Sequence, residues 1–292
     1  LSCSSSEFIE KASGIKSRYV MSKDDILNID LMRPSIKQRA NDVISSQAEI
    51  GVAAAKQAIE AANKKPEDID LVIVACAYTE RSYPAIAIEI QNALGCSGWG
   101  FDMLVACSAA TFGIINAANA IRSGTAKTVL VINPEILSPQ INYRDRDSHF
   151  IFGDVATALI IENEATASSD HCLKIIAEQP ITKFSNNIRS NIGYMNSCDP
   201  ETKDADDKFF IQQGRKVFKE VLPMVSNLIS SEMTKIGLSA QDIKRLYLHQ
   251  ANINMNGFIA KKVLGREPSL AEAPIILDEY ANTSSAGCII AL

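Results

Sequence analysis

The sequence predicts an α/β fold built on parallel strands and duplicated along the chain. Three observations carry this. Helical stretches alternate with short apolar runs over short links, the pattern of parallel strands crossed by helices. The order recurs: Asp68-Ile69-Asp70 leads into the run Leu71-Val72-Ile73-Val74-Ala75, and Asp242-Ile243-Lys244 leads into Arg245-Leu246-Tyr247-Leu248-His249. Each half then reaches a second strand ending in small residues, Ala106-Cys107-Ser108-Ala109-Ala110 in one and Ala281-Asn282-Thr283-Ser284-Ser285 in the other. The offsets agree, since His249 lies 174 residues after Ala75 and Asn282 lies 175 after Cys107.

In chain order, an amphipathic helix at 48–63 precedes a buried strand at 71–77. A helix at 85–94 follows, then a strand at 100–105 that runs into a helix at 108–123. Strands at 128–133 and 158–162 complete the first half, and a strand is expected at 174–177. Residues 183–207 are polar and rich in Asn, Ser and Asp, so they read as an excursion. The second half brings a helix at 214–236, a strand at 246–249 and a helix at 254–263. The expected division is an N-terminal half at 1–165, a connecting excursion at 166–213 and a C-terminal half at 214–292. Both ends look cut. Leu1 is no initiator, Ser4-Ser5-Ser6 fits a helix cap, and the chain stops inside an apolar helix at 286–292. A counterpart of the strand at 127–133 is therefore expected beyond residue 292.

Apolar residues make up 47% and charged residues 22%, as in an ordinary globular chain long enough for a large core. A net charge of −5 with no Lys/Arg run argues against a general nucleic-acid binder. No stretch reaches the length of a membrane-spanning helix and no signal peptide is visible. The seven cysteines include no C-x-x-C pair, so a reducing cytoplasm is the expected location. The remaining cysteines, His149 and His171 have no metal-ligand spacing, and no dinucleotide or P-loop fingerprint is present. Neither a metal nor a nucleotide cofactor is expected.

Cys107 is the most informative residue. It stands where the strand 101–106 runs into a helix, whose unpaired N–H groups and macrodipole favour a thiolate. Ser108-Ala109-Ala110 leave room for a substrate carbonyl. A core cysteine that only packs is the alternative. Two halves related by a pseudo-twofold would bring Cys107, His249 and Asn282, all at strand ends, toward one crevice.

The ordered motifs Asp102-Met-Leu-Val-Ala-Cys107-Ser-Ala-Ala, His249-Gln-Ala-Asn-Ile and Tyr280-Ala-Asn282-Thr-Ser resemble the three catalytic motifs of β-ketoacyl-acyl carrier protein synthase III. Phe152-Gly153-Asp154 and Ser13-Gly14-Ile15-Lys16-Ser17-Arg18 resemble two further signatures of that family. The resemblance covers nearly the whole chain. It implies a thiolase-like, duplicated fold of five α/β/α/β/α layers, a homodimer, and two thiolase-like halves carrying the nucleophile and its partners. It also implies a Gly-rich loop in a segment after residue 292. The implied reaction is acylation of Cys107 by an acyl-CoA primer, then decarboxylative condensation with malonyl-acyl carrier protein (malonyl-ACP). Both thioesters are substrates rather than cofactors. His249 and Asn282 would donate hydrogen bonds to the enolate oxygen, and the Cys107 N–H would serve as an oxyanion donor.

The resemblance also assigns weaker positions. Phe8, Arg146 and Asn252 match CoA-binding positions, Tyr83 in Ser82-Tyr83-Pro84 matches the acyl-pocket aromatic, and Lys261 and Lys262 match residues facing the acidic carrier protein. Arg146 also reads as a solvated loop charge, Tyr83 as an ordinary interface or core aromatic, and Lys261 and Lys262 as the wet face of a helix. Gly153-Asp154 reads as architectural. The chain departs from the family where Phe8 replaces a common Trp, where Ala12 replaces an arginine and where Asn254 replaces a basic residue. These losses deplete the grip on CoA and carrier and point to a longer primer than acetyl. Rival readings are a related thiolase-fold enzyme using acyl-CoA or malonyl-CoA as acceptor, a thioesterase, and a non-catalytic carrier-binding partner.

Overall fold

Alternation within two buried strands sets the architecture. Val72, Val74 and Cys76 point to one face of a sheet, and Leu71, Ile73 and Ala75 to the other. The computed structural model describes residues 4–170 and 172–292, so Cys3 and His171 lie outside the described residues. In chain order the helices are α1 (Ser6–Ser13), α2 (Lys23–Leu27), α3 (Ser46–Ala61), α4 (Ile86–Leu94), α5 (Ala109–Arg122), α6 (Tyr194–Ser197), α7 (Gly214–Lys235), α8 (Ile253–Leu264), α9 (Leu277–Tyr280) and α10 (Gly287–Ala291). The strands are β1 (Leu71–Cys76), β2 (Trp99–Leu104), β3 (Thr128–Glu135), β4 (Val155–Glu162), β5 (Ile188–Arg189) and β6 (Ile211–Gln212).

The chain divides into two compact units. One comprises residues 37–136, 154–178 and 283–292. Its sheet has the order β2-β1-β3-β4, parallel across β2, β1 and β3 and antiparallel from β3 to β4. Helices α3 and α4 cover one face through Ala48, Ala55, Ile59, Ile86 and Ile90, packed on Val72, Val74, Leu130 and Ile132. Helix α5 covers the other through Ala109 and Ala117, packed on Leu71, Ile73, Val129 and Val131. Gly113 permits that close approach, because a Cβ there would stand 2.8 Å from Val131 Cγ1 and 3.1 Å from Ala75 Cβ. The α4 N-cap Ala85 has no capping side chain. Asp102 on β2 replaces it, accepting from Ile86 N and Ala87 N at 2.8 Å each.

The other unit comprises residues 1–36, 137–153 and 179–282. Here α7 and α8 enclose Leu246, Ile259, Ala260, Val263 and Leu264. A second cluster joins Ile15, Leu277 and Ala281. Ser5 caps α1 by accepting from Phe8 N, so the cap expected at Ser4-Ser5-Ser6 is present.

The expected helices occur within two residues of their predicted bounds, and four of the expected strands are present. Two are not. Residues 174–177 and 246–249 form no strand, and a short helix, α9, stands where a strand was expected before Ala281. A strand needs a ladder, and Leu246 N instead donates to Glu272 O at 2.7 Å. The repeat is nevertheless visible in local geometry. Asp68 accepts from Lys65 N and, 174 residues on, Asp242 accepts from Ser239 N, both at 2.8 Å. Ala106 and Ala281, 175 residues apart, both have left-handed backbone, with φ of 46° and 59°.

Candidate active site

Strand β2 ends at Leu104, and the chain reverses through Ala106 before a 3-10 turn, Ala106–Ser108, delivers it into α5. A non-glycine residue at φ 46° is strained by roughly 1–3 kcal/mol, held here by the elements on either side. The turn presents Cys107, half-buried, immediately before the helix start. Burial pushes the Cys107 thiol up to about 11, outweighing the downward pull of the Ser284 hydroxyl; the Glu135 carboxylate adds to the rise. The thiolate expected from the helix start is therefore not the resting form. Desolvation wins over the dipole.

Beneath Cys107 lies a feature that the sequence reading missed. Glu135, the last residue of β3, is fully buried. Its Oε2 accepts from Ala77 N at 3.1 Å, and its Oε1 accepts from Ser285 N at 3.2 Å and from the Ser285 hydroxyl. Burial drives this carboxyl from 4.5 up to about 7, despite the lowering effect of Ser285, Ala77 and Ser284. Ser284 has φ 50° and is buried with Ser285 in the 3-10 turn Ser284–Ala286. The available signal was a carboxylate just beyond an apolar run, in Val129-Leu130-Val131-Ile132-Asn133-Pro134-Glu135.

His249 and Asn282 belong to the other unit. His249 is half-buried, and its neighbour Gln250 is fully buried. Gln250 donates to Leu248 O at 3.0 Å and Pro274 O at 3.2 Å and accepts from Ile276 N at 3.2 Å, fixing the segment that carries His249. Asn252 accepts from Asn254 N and Met255 N at the start of α8 and donates to Ala12 O at 2.9 Å. Its amide is thus engaged in capping and in holding the end of α1. Asn282 is buried and follows the left-handed Ala281. Its N–H donates to Ile151 O at 3.0 Å and its carbonyl accepts from Gly153 N at 3.2 Å. A Cβ on Gly153 would stand 2.3 Å from Tyr280 O, so that position admits only glycine. Arg18 donates to Phe152 O and His149 O, both at 2.9 Å, tying the Ser13–Arg18 motif to the same backbone.

Among the weaker positions, Phe8 and Arg146 meet. The guanidinium lies 5.3 Å from the ring centroid, and Phe8 is 41% exposed. Tyr83 is 80% exposed. Its loop is pinned by buried Gln47, which donates to Tyr78 O at 2.9 Å and accepts from Glu80 N, and by the Arg81–Glu89 ion pair. Lys261 pairs with Glu267, and Lys262 donates to Asn227 Oδ1 at 3.1 Å. Among the described residues no three His, Cys, Asp or Glu side chains gather as a metal site, and no helix is long and apolar enough to cross a membrane.

The sequence model of 3-oxoacyl-[acyl-carrier-protein] synthase III matches residues 101–177, and that of the family's C-terminal domain matches residues 233–292. A β-ketodecanoyl-[acyl-carrier-protein] synthase of Pseudomonas aeruginosa is 53% identical over 289 residues, covering 99% of this chain and 83% of the relative. A β-ketoacyl-[acyl-carrier-protein] synthase III of Chelativorans sp. is 31% identical over 291 residues, covering 99% of this chain and 81% of the relative. The crystal structure of 3-oxoacyl-[acyl-carrier-protein] synthase III from Aquifex aeolicus superposes with a TM-score of 0.78 at 25% identity, covering 99% of this chain and 80% of that one. The chain belongs to the 3-oxoacyl-[acyl-carrier-protein] synthase III family, condensing acyltransferases of thiolase-like α/β fold that act with an acyl carrier protein.

Proposed function

We propose that this chain joins a medium-chain acyl primer, held as a thioester on Cys107, to malonyl-ACP. The observation that carries the reading is the strained turn at Ala106, which sets one cysteine between a strand end and a helix start. Cys107 Sγ attacks the thioester carbonyl of acyl-CoA, the C–S bond to CoA breaks, and CoA leaves as the thiol. The Cys107 N–H stabilises the oxyanion of that step. The malonyl thioester then loses CO₂, which leaves an electron pair as the enolate. His249 and the Asn282 amide donate hydrogen bonds to the enolate oxygen, and the enolate carbon attacks the acyl group and displaces Cys107. No cofactor is needed, because decarboxylation supplies the electron pair for the new C–C bond.

The chain-length reading has two supports. A β-ketodecanoyl product contains an eight-carbon primer extended by two carbons, and the relative at 53% identity carries that name. Phe8, Ala12 and Asn254 weaken the usual hold on CoA, so more binding energy must come from the acyl chain, at about 0.8 kcal/mol per buried methylene. Phe8 and Arg146 together form a cation–π platform suited to the CoA adenine. Asn252 shapes that region by holding Ala12 rather than by offering a free amide. Tyr83 contributes to the acyl pocket, and Lys261 and Lys262 face the carrier. The protein works as a cytoplasmic homodimer of two thiolase-like halves per chain. Strand β2, at one end of the described sheet order with Trp99 and Leu104 exposed, is the kind of edge that a second copy covers. The test is kcat/KM for acyl-CoAs of graded length, with malonyl-ACP and malonyl-CoA compared as acceptor. A maximum near octanoyl-CoA with malonyl-ACP supports the proposal. Acetyl-CoA as best primer with octanoyl-CoA inert rejects the chain-length reading.

A further inference from the structure

The condensation chemistry leaves one buried carboxylate without a part. Glu135 ends β3 with no solvent exposure, and three donors converge on it. Ala77 N, just past the end of β1, donates to its Oε2 at 3.1 Å. Ser285 donates to its Oε1 twice, through the N–H at 3.2 Å and through the hydroxyl. One side chain thus fastens the 3-10 turn Ser284–Ala286 to the ends of β1 and β3, the central strands of the sheet. An ionised carboxylate suits the place because it only accepts, whereas an amide would turn an N–H toward one of the three donors.

The fastened turn stands beside the nucleophile. Ser284–Ala286 packs against the turn Ala106–Ser108 and against α5. Each turn carries a left-handed residue, Ala106 at φ 46° and Ser284 at φ 50°. Such backbone at a residue other than glycine persists only where the surroundings over-determine it. The residues before the two turns, Val105 and Thr283, supply no side-chain cap. Thr283, Ser284, Ser285 and Ala286 are all buried, so no solvent stands by to replace the carboxylate as acceptor.

We propose that Glu135 is a positioning residue for Cys107: by fastening the Ser284–Ala286 turn to the sheet, it holds the nucleophile turn in the geometry that self-acylation requires. The proposal rests on Cys107 being the nucleophile. Glu135 takes no proton from the sulfur in this role. It acts through Ser285, whose turn is a wall against which Ala106–Ser108 is packed. Glu135, Ala77, Ser285 and Cys107 all belong to one compact unit. The demand comes from trajectory. Sγ must meet the thioester carbonyl carbon while the Cys107 N–H meets its oxygen, and a displacement of about 1 Å can cost about 100-fold. Charge alone would argue against a carboxylate here, since Glu135 raises the pKa of the thiol and holds the thiolate back. Its place beneath the turn is accounted for by geometry rather than by activation.

The test sets thioester acylation against a reagent that needs no positioning. Single-turnover acylation by octanoyl-CoA is followed by intact mass, and alkylation by iodoacetamide is read on the Cys107 peptide, with folding checked by thermal melts. Glu135→Gln should lower the saturating acylation rate about 10- to 100-fold and leave the half-saturating octanoyl-CoA concentration within about twofold of wild type. Its Cys107 should alkylate at least as fast as in wild type, because the neighbouring negative charge is gone. Ser285→Ala should lose acylation in the same direction but less, since the Ser285 N–H still reaches Glu135. Should Glu135→Gln melt too low to assay, Ser285→Ala carries the same comparison alone. The double variant should lose less than the product of the two single losses, because both act through one clamp. A merely structural Glu135 would lower the melting temperature and the fraction of chains acylated while sparing the rate of those that react, and that pattern overturns the proposal. Wild-type acylation in both single variants overturns it too, as does a loss of alkylation that matches the loss of acylation. Acylation of Cys107→Ala would instead remove the nucleophile assignment beneath the proposal, and the mass shift of that variant tells the two failures apart.

Discussion

Glu135 should also make folding stability depend on pH, independently of any turnover. Its carboxyl is raised from 4.5 to about 7 by burial, so the folded chain holds its proton more tightly than the unfolded chain. The contribution is fully present below about pH 4.5 and is lost as pH rises through about 7. At about 1.4 kcal/mol per tenfold difference, the loss amounts to about 3 kcal/mol. Glu135→Gln cannot ionise, so it isolates this contribution from all other titrations. The assay is urea unfolding of wild type and Glu135→Gln from about pH 4.5 to about pH 8.5, read as the difference in unfolding free energy. That difference should shift by about 3 kcal/mol against the wild type on going from acid to base, with most of the change centred between pH 5 and 7. A constant difference across the range would show that the carboxyl is ionised at an ordinary pKa. It would refute the claim that desolvation dominates at the end of β3.

Three further outcomes follow from particular contacts. Asp102→Ala leaves the first two N–H groups of α4 without their acceptor and should cost about 2–4 kcal/mol in urea unfolding at unchanged m, with Asp102→Asn milder. His249→Ala and Asn282→Ala should lose malonyl decarboxylation by about 100–1000-fold while self-acylation changes far less; equal losses in both half-reactions would defeat the division of roles. Arg146→Ala should raise KM for octanoyl-CoA by about 5- to 30-fold and leave a thioester lacking the nucleotide unaffected, whereas equal effects on both thioesters would remove the adenine platform.

Much of the fold was legible because burial imposes strong periodicity. The runs at β1 and β3 are fully buried on both faces, so continuous apolar sequence sufficed to place them. Helices α3, α5, α7 and α8 announced themselves by long amphipathic stretches. Strand status at 246–249 was not legible, since it depends on a neighbour to form a ladder and the segment's own residues do not encode one. The junction at Cys107 could be seen in the sequence, but its electrostatics could not. A helix start argues for a thiolate, whereas desolvation of the Cys107 sulfur raises its pKa. The His249-Gln-Ala-Asn motif reads as chemistry, yet Gln250 and Asn252 use their amides to hold backbone. Glu135 was missed because a single carboxylate after an apolar run resembles a strand reaching solvent; Ala77 and Ser285, which enclose it, lie 58 and 150 residues away.

The central claim is that Cys107 is the residue that carries the primer. Its most direct test is intact mass followed by peptide mapping after mixing the protein with octanoyl-CoA in the absence of malonyl thioester. The account predicts one octanoyl group per chain, located on the peptide containing Cys107, and none on Cys107→Ala, since no comparable nucleophile replaces the thiol at that turn. Stoichiometric acylation of Cys107→Ala, or an octanoyl group mapped to another residue of the wild type, would contradict it.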